Sequence, residues 1–146
     1  MAEPAQDMVI EELSQTECLR LLAAHEVGRV AVVVDGRPVI LPVNYRTDDG
    51  TVVFRTDAGT KLQGAAMSHV AFEIDEIDQD SHEGWSVLLE GVGQDITDTV
   101  DARSEELRIL PVSPWAPGDK AYWIKVVPRG LSGRSLRRRL PTDPVQ

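Results

Sequence analysis

The chain has one cysteine and few aromatic side chains. Cys18 alone among 146 residues excludes an internal disulfide, a Cys-x-x-Cys redox pair and a Cys-rich zinc site. No neighbour in sequence would depress its pKa, so it reads as a helix-packing thiol rather than a nucleophile. Three Trp, two Tyr and two Phe leave the core to Val, Leu, Ile and Ala. No apolar run approaches the roughly 20 residues of a membrane span. The first dozen residues are acidic and lack the apolar stretch of a signal peptide. Gly-x-Ser-x-Gly is absent, so there is no hydrolase elbow. Gly91-Val-Gly93-Gln-Asp-Ile96 lacks the third glycine of a dinucleotide fingerprint and sits inside a strand pattern. Asp78-Gln-Asp80-Ser-His82-Glu83 starts like a calcium loop, but Glu83 stands where the loop needs glycine and no Glu closes it. His25, His69 and His82 have no metal partner or nucleophile visible in the sequence. These absences predict a soluble, cytoplasmic domain without a membrane partner.

What is present is acidic. The net charge of −9 argues against general nucleic-acid binding. The charge is uneven, because residues 129–146 hold five basic side chains and one acidic one. Arg137-Arg-Arg139 reads as a solvated tail. The expected organisation is a loose segment over residues 1–12, one domain over 13–128 and a basic tail over 129–146.

Ser14-Gln-Thr-Glu17 is a capping box, followed by one apolar face through Cys18, Leu19, Leu21 and Leu22. It predicts a helix over Gln15 to Ala24. From Arg29 the period changes. Val30 to Val34, Pro38 to Tyr45 and Thr51 to Thr56 read as strands joined at Asp35-Gly36 and Asp48-Asp-Gly50. The first two are apolar on both faces, so something outside the barrel should cover them, and a homodimer supplies that cover. A helix is expected from Gly59 to Ser68. Val70 to Ile77 alternates with one charged face, Asp78 to Gly84 is a loop, and Trp85 to Ile96 is a long strand bent at Gly91 or Gly93. Thr97 or Asp98 should cap a second helix through Leu110. Pro111 to Gly118 is a surface loop carrying Trp115, and Ala121 to Val127 is the last strand. The fold class is mainly β with small helices, an antiparallel six-stranded barrel.

Phe54-Arg-Thr-Asp-Ala-Gly-Thr-Lys-Leu62 joins the third strand to the first of these later helices. It brings Arg55, Thr56, Thr60 and Lys61 to a helix N-terminus, where unpaired amides and the helix dipole favour an anion such as phosphate. An arginine fork and a lysine point charge suit that role. A solvated turn with incidental charges is the other reading of this stretch.

Pro42-Val-Asn44, Phe54-Arg-Thr56 with Lys61-Leu62, Val70-Ala-Phe-Glu-Ile-Asp75, and Gly84-Trp-Ser-Val87 with Glu90-Gly91 occur in that order. Together they resemble the pyridoxamine 5'-phosphate oxidase-like family of FMN-binding split barrels, particularly its small actinobacterial members. The resemblance covers about residues 13–128. It implies a homodimer with FMN, or in some branches a deazaflavin, at the subunit interface. It also implies a flavin-dependent oxidoreductase of a small-molecule substrate, or a non-catalytic flavin carrier or sensor. The phosphate would lie on Arg55, Thr56, Thr60 and Lys61, beside Leu62. Pro42, Val43 and Asn44 would lie along the ring. Trp85 and Ser86 begin a strand that approaches the cofactor in relatives. For Asn44 a bond within its own turn is the other reading, and for Trp85 an ordinary core or interface position. The C-terminal Arg and His set of the oxidase itself is matched only loosely by Gly130-Leu-Ser-Gly-Arg134-Ser, so the implied activity is a related one.

Overall fold

The computed structural model describes residues 7–59 and 68–144. Ser14 starts α1 (Gln15–Ala24) by accepting from the Glu17 N–H at 3.1 Å, while Glu17 turns outward to Arg20 instead of closing the capping box. Seven strands follow or flank it: β1 (Met8–Glu12), β2 (Val27–Val34), β3 (Arg37–Asp48), β4 (Thr51–Thr56), β5 (His69–Ile77), β6 (Gly84–Asp95) and β7 (Tyr122–Arg138). The sheet order is β1-β7-β4-β3-β2-β5-β6, and β6 pairs back onto β7. Six strands therefore close an antiparallel ring, and β1 is a seventh strand added along the far end of β7. Both early hairpins turn where an aspartate precedes a glycine. Asp35 and Gly36 (φ 51° and 75°) and Asp49 and Gly50 (φ 50° and 80°) all take the left-handed region that tight hairpins require.

Four expectations need correction. The described residues form seven strands rather than six. Residues 8–12 are not loose, because Met8 to Glu12 pairs with Arg138 to Arg134. The basic tail is the second half of β7, with Arg137 bound to Asp143 and to Glu11. The second helix, α2 (Ala102–Arg108), is capped by Asp101 and not by Thr97 or Asp98. Thr97 cannot serve, since its hydroxyl donates to Asp95 at 2.6 Å and accepts from the Trp123 N–H at 2.9 Å. The helix expected over Gly59 to Ser68 falls mainly outside the described residues.

The β6–β7 register jumps from the pair Glu90–Gly130 to the pair Gly91–Pro128, leaving Arg129 as the extra residue of a bulge. A side chain at Gly91 would meet the Val127 carbonyl oxygen at 2.2 Å, so the close approach there needs glycine.

The main core fills the ring with Val30, Val32, Tyr45, Val52, Phe54, Phe72, Ile74, Val87, Leu89 and Ile124, together with Cys18, Leu21 and Leu22 of α1. Burial pushes the Cys18 thiol pKa up, as expected for a packing cysteine. A smaller core of Val53, Ile96, Leu107 and Val112 lies on the other side of β4. Thus β4 is the strand buried on both faces, whereas β2 and β3 leave Val33 and Ile40 about two-thirds exposed (64% and 67%). Among the described residues, no helix is long and apolar enough to cross a membrane.

Candidate functional site

Two pieces of the molecule meet where β3 and β4 end. The β3–β4 ladder stops at the pair Tyr45–Phe54, so Asn44 and Arg55 are the next positions on their strands. Across this point runs the proline-rich segment 111–120, held by side chains rather than by a ladder. The Trp115 N–H donates to Asn44 Oδ1 at 2.8 Å, and Arg46 Nε donates to the Pro111 carbonyl at 3.1 Å. Arg55 donates to the carbonyls of Val112, Asp119 and Lys120 at 3.2, 3.4 and 2.9 Å, and lies over the Trp123 ring. Asp57 accepts from both the backbone N–H and Nζ of Lys120, at 2.7 and 2.6 Å. That lysine holds the Asp57 carboxyl below its ordinary pKa.

Arg55 thus sits where the sequence reading put it, but each guanidinium nitrogen already faces a backbone carbonyl. Its work here is to fasten the 111–120 strap. Thr56, the next residue, is buried at 3% exposure. Thr60, Lys61 and Leu62, the other members of the expected phosphate cradle, lie outside the described residues.

The remaining candidates fall on a single face of the sheet. Residues paired across neighbouring strands share a face, and the register assembles one row from Pro42, Arg29, Glu73, Leu88 and Ser132. A second row, one step along, joins Asp75, Ser86 and Arg134. Asn44 shares the side of Pro42, because it pairs with Val27 two residues before Arg29. This is the outer face. Val43 lies between Pro42 and Asn44 and points into the core at 9% exposure, so only its backbone reaches the outside. Trp85 turns toward the core end, where its ring meets that of His25 edge-on with the centroids 4.9 Å apart. Its indole also helps line a small cavity of about 230 Å³ with Ser86, Ile77 and Ile10.

The sequence showed a charged face over Val70 to Ile77 but not that Arg29 stands at its centre. Arg29 Nη1 lies 3.3 Å from Glu73 Oε1 and 3.2 Å from Asp75 Oδ2. Burial, and then the neighbouring Asp75 carboxylate, raises the Glu73 pKa to about 7, with Arg29 pulling the other way. Glu73 and Ser86 open onto a groove of about 550 Å³, bounded further by Leu13, Gln15, Leu88 and Arg134. The alternation Glu73-Ile-Asp75 was the available signal, since two carboxylates on one face of a strand must meet either solvent or a partner.

A planar, partly polar group fits this setting. Proline and aliphatic carbons supply apolar contact and the Asn44 amide supplies hydrogen bonds at the β3 end, while the outward Ser86 hydroxyl stands on β6, three strands away in either direction round the ring. Asp78, by contrast, spends Oδ1 on the N–H groups of Asp80 and Ser81 within its own loop.

An uncharacterised protein of Mycobacterium tuberculosis is 34% identical over 139 residues, covering 90% of this chain and 89% of its own. The structure of a FAD-binding protein from Mycobacterium smegmatis superposes with a TM-score of 0.65 at 31% identity, covering 87% of this chain and 98% of that one. A Corynebacterium glutamicum protein named for the pyridoxamine 5'-phosphate oxidases gives a TM-score of 0.72 at 29% identity, with the same coverage. The family model of pyridoxamine 5'-phosphate oxidase matches residues 14–135, and the chain belongs to that family.

Proposed function

We propose that this protein binds a flavin between the outer face of β3 in one protomer and that of β6 in its partner, and acts as a homodimeric, cytoplasmic flavin-dependent oxidoreductase on a small molecule. The observation that carries the reading is the outward face of Pro42 and Asn44 at the end of β3, next to the β4 end that bears Arg55 and Thr56. Ser86, across the ring on β6, would reach the same flavin from the second subunit of the dimer. A bound flavin would supply hydride transfer, and the protein would supply orientation and electrostatics. Asn44 and Ser86 present hydrogen-bonding groups to the ring, while Pro42 and the Val43 backbone give it a flat apolar support. Arg55 adds positive charge from behind the strap, and Thr56, Thr60 and Lys61 hold the phosphate beside Leu62.

FMN is the form proposed, because the cradle suits a terminal phosphate. The FAD-binding relative from Mycobacterium smegmatis favours FAD as the second reading. Chromatography of the cofactor released from purified protein, with its absorption spectrum, separates FMN, FAD and a deazaflavin. Protein that stays colourless after incubation with each of the three would refute flavin binding.

Replacing Lys61 with Ala should weaken FMN binding by about 1.5–3 kcal/mol, the scale of a hydrogen bond to a charged group. Riboflavin, which lacks the phosphate, should bind wild type and variant equally. Reduction by NADH or NADPH followed by turnover of an acceptor supports the oxidoreductase, whereas a bound flavin inert to both leaves a carrier. For the dimer, a second copy over Val33 and Ile40 would cover the apolar part of the outer face. A stable monomer by sedimentation at micromolar concentration rules that out.

A further inference from the structure

The segment Pro111-Val-Ser-Pro-Trp-Ala-Pro-Gly118 has the opposite of the usual loop design. Its three prolines fix φ, and Asn44, Arg46, Arg55 and Asp57 fasten it from 111 to 120. Yet the largest side chain it carries, Trp115, is 73% exposed. A large aromatic held out on a rigid backbone loses little freedom when a ligand covers it.

The same contact settles the orientation of Asn44. A backbone N–H can only donate, so the atom facing Trp115 N at 2.8 Å is Oδ1. Nδ2 is then the end left for a ligand, and no partner for it is found among the described residues. Asn44 therefore offers donors, which match a carbonyl edge rather than a ring N–H.

We propose that Trp115 is a ligand-contacting residue: its strap-held indole forms one wall for a planar heteroaromatic ring whose carbonyl edge accepts from Asn44 Nδ2. The inference rests on the flavin reading above, and the ring in question is the isoalloxazine. It adds to that reading a residue from the 111–120 segment and a direction for the Asn44 hydrogen bond.

The test titrates riboflavin and FMN against wild type, Trp115→Ala, Trp115→Phe and Asn44→Asp, with a thermal melt of each. Trp115→Ala keeps the backbone N–H and hence the bond to Asn44. It should weaken both ligands by about tenfold or more, the range of a lost aromatic stack, and by the same factor, because the wall touches the ring and not the phosphate. Trp115→Phe should restore most of the affinity. Asn44→Asp still accepts from Trp115 but can no longer donate, so its melt should match wild type while riboflavin binds at least tenfold more weakly. Unchanged riboflavin affinity in Trp115→Ala overturns the proposal while leaving flavin binding in place. So does a loss in Trp115→Ala that comes with a lowered melting temperature and that Phe does not rescue. Wild type that binds neither ligand overturns this proposal and the flavin reading together.

Discussion

The two faces of β2, β3, β5 and β6 are made by the same strands and the same ladders, and they have opposite chemistry. Inside, Val30, Val32, Phe72, Ile74, Val87 and Leu89 are all at or below 2% exposure. Outside, in the intervening positions, stand Arg29, Pro42, Asn44, Glu73, Asp75 and Ser86. The inner face needs only bulk and apolarity to exclude water. The outer face carries a donor amide on β3 and, farther round the ring, a bridged pair of carboxylates on β5 with a hydroxyl beside it on β6. Alternation lets each strand serve stability with one side and ligand chemistry with the other. Substitutions should sort accordingly, except at the β3 and β4 ends, where Asn44 and Arg55 tie the outer face to the strap.

The largest effect belongs to the inner face. Phe72 is fully buried, meets Tyr45 edge-on at 4.8 Å and packs beneath Gly28. Phe72→Ala should cost about 3–5 kcal/mol in chemical denaturation. A loss below about 1 kcal/mol would mean that the inner face is not the stability face, and the contrast would fail.

Arg55 tests the exception. Arg55→Ala removes the donors to three carbonyls of the strap and should destabilise by about 2 kcal/mol. Arg55→Lys should not restore that stability, because an ammonium point charge cannot span the three acceptors that a planar fork reaches. If Arg55→Lys melts like wild type, the residue serves through charge alone and the phosphate reading of Arg55 regains the ground.

The inner face was legible in the sequence because burial writes itself as period. The α1 box at Ser14, the Asp-Gly turns and the strand Thr51 to Thr56 need only local chemistry, and the helix and this strand fall where expected. What the sequence hid depends on partners far along the chain. The pairings of β7 with β6 and with β1 turn Arg134 and Arg137 from tail residues into strand residues, and nothing local to Gly130–Arg138 says that a partner strand exists. An arginine beside a threonine at a strand end has the chemistry of a phosphate ligand, and nothing local to Arg55 says that it also fastens the strap. The carbonyls that occupy it come from 57 to 65 residues away. Arg29 marked only a change of period in the sequence, and it is the register that sets it against Glu73.

That register leads to the smallest effect. The Glu73 pKa lies at about 7 against an ordinary 4.5, because burial and the facing Asp75 carboxylate outweigh the attraction of Arg29. A carboxyl whose folded pKa is raised binds more protons folded than unfolded across that window. Stability should therefore be greatest near pH 5 and decline as the pH rises toward 7, then level off. The side chain is about one-third exposed (34%), and solvent screening reduces the change to about 1 kcal/mol. Urea denaturation at several pH values between 5 and 8 measures it. Glu73→Gln removes the titrating group while keeping its shape, so the difference between the two curves isolates the contribution of Glu73. Parallel curves for wild type and Glu73→Gln would mean that Arg29 and solvent fully offset the burial of the carboxyl. The outer face would then behave as an ordinary solvated surface, and the chemical contrast between the two faces would reduce to one of exposure.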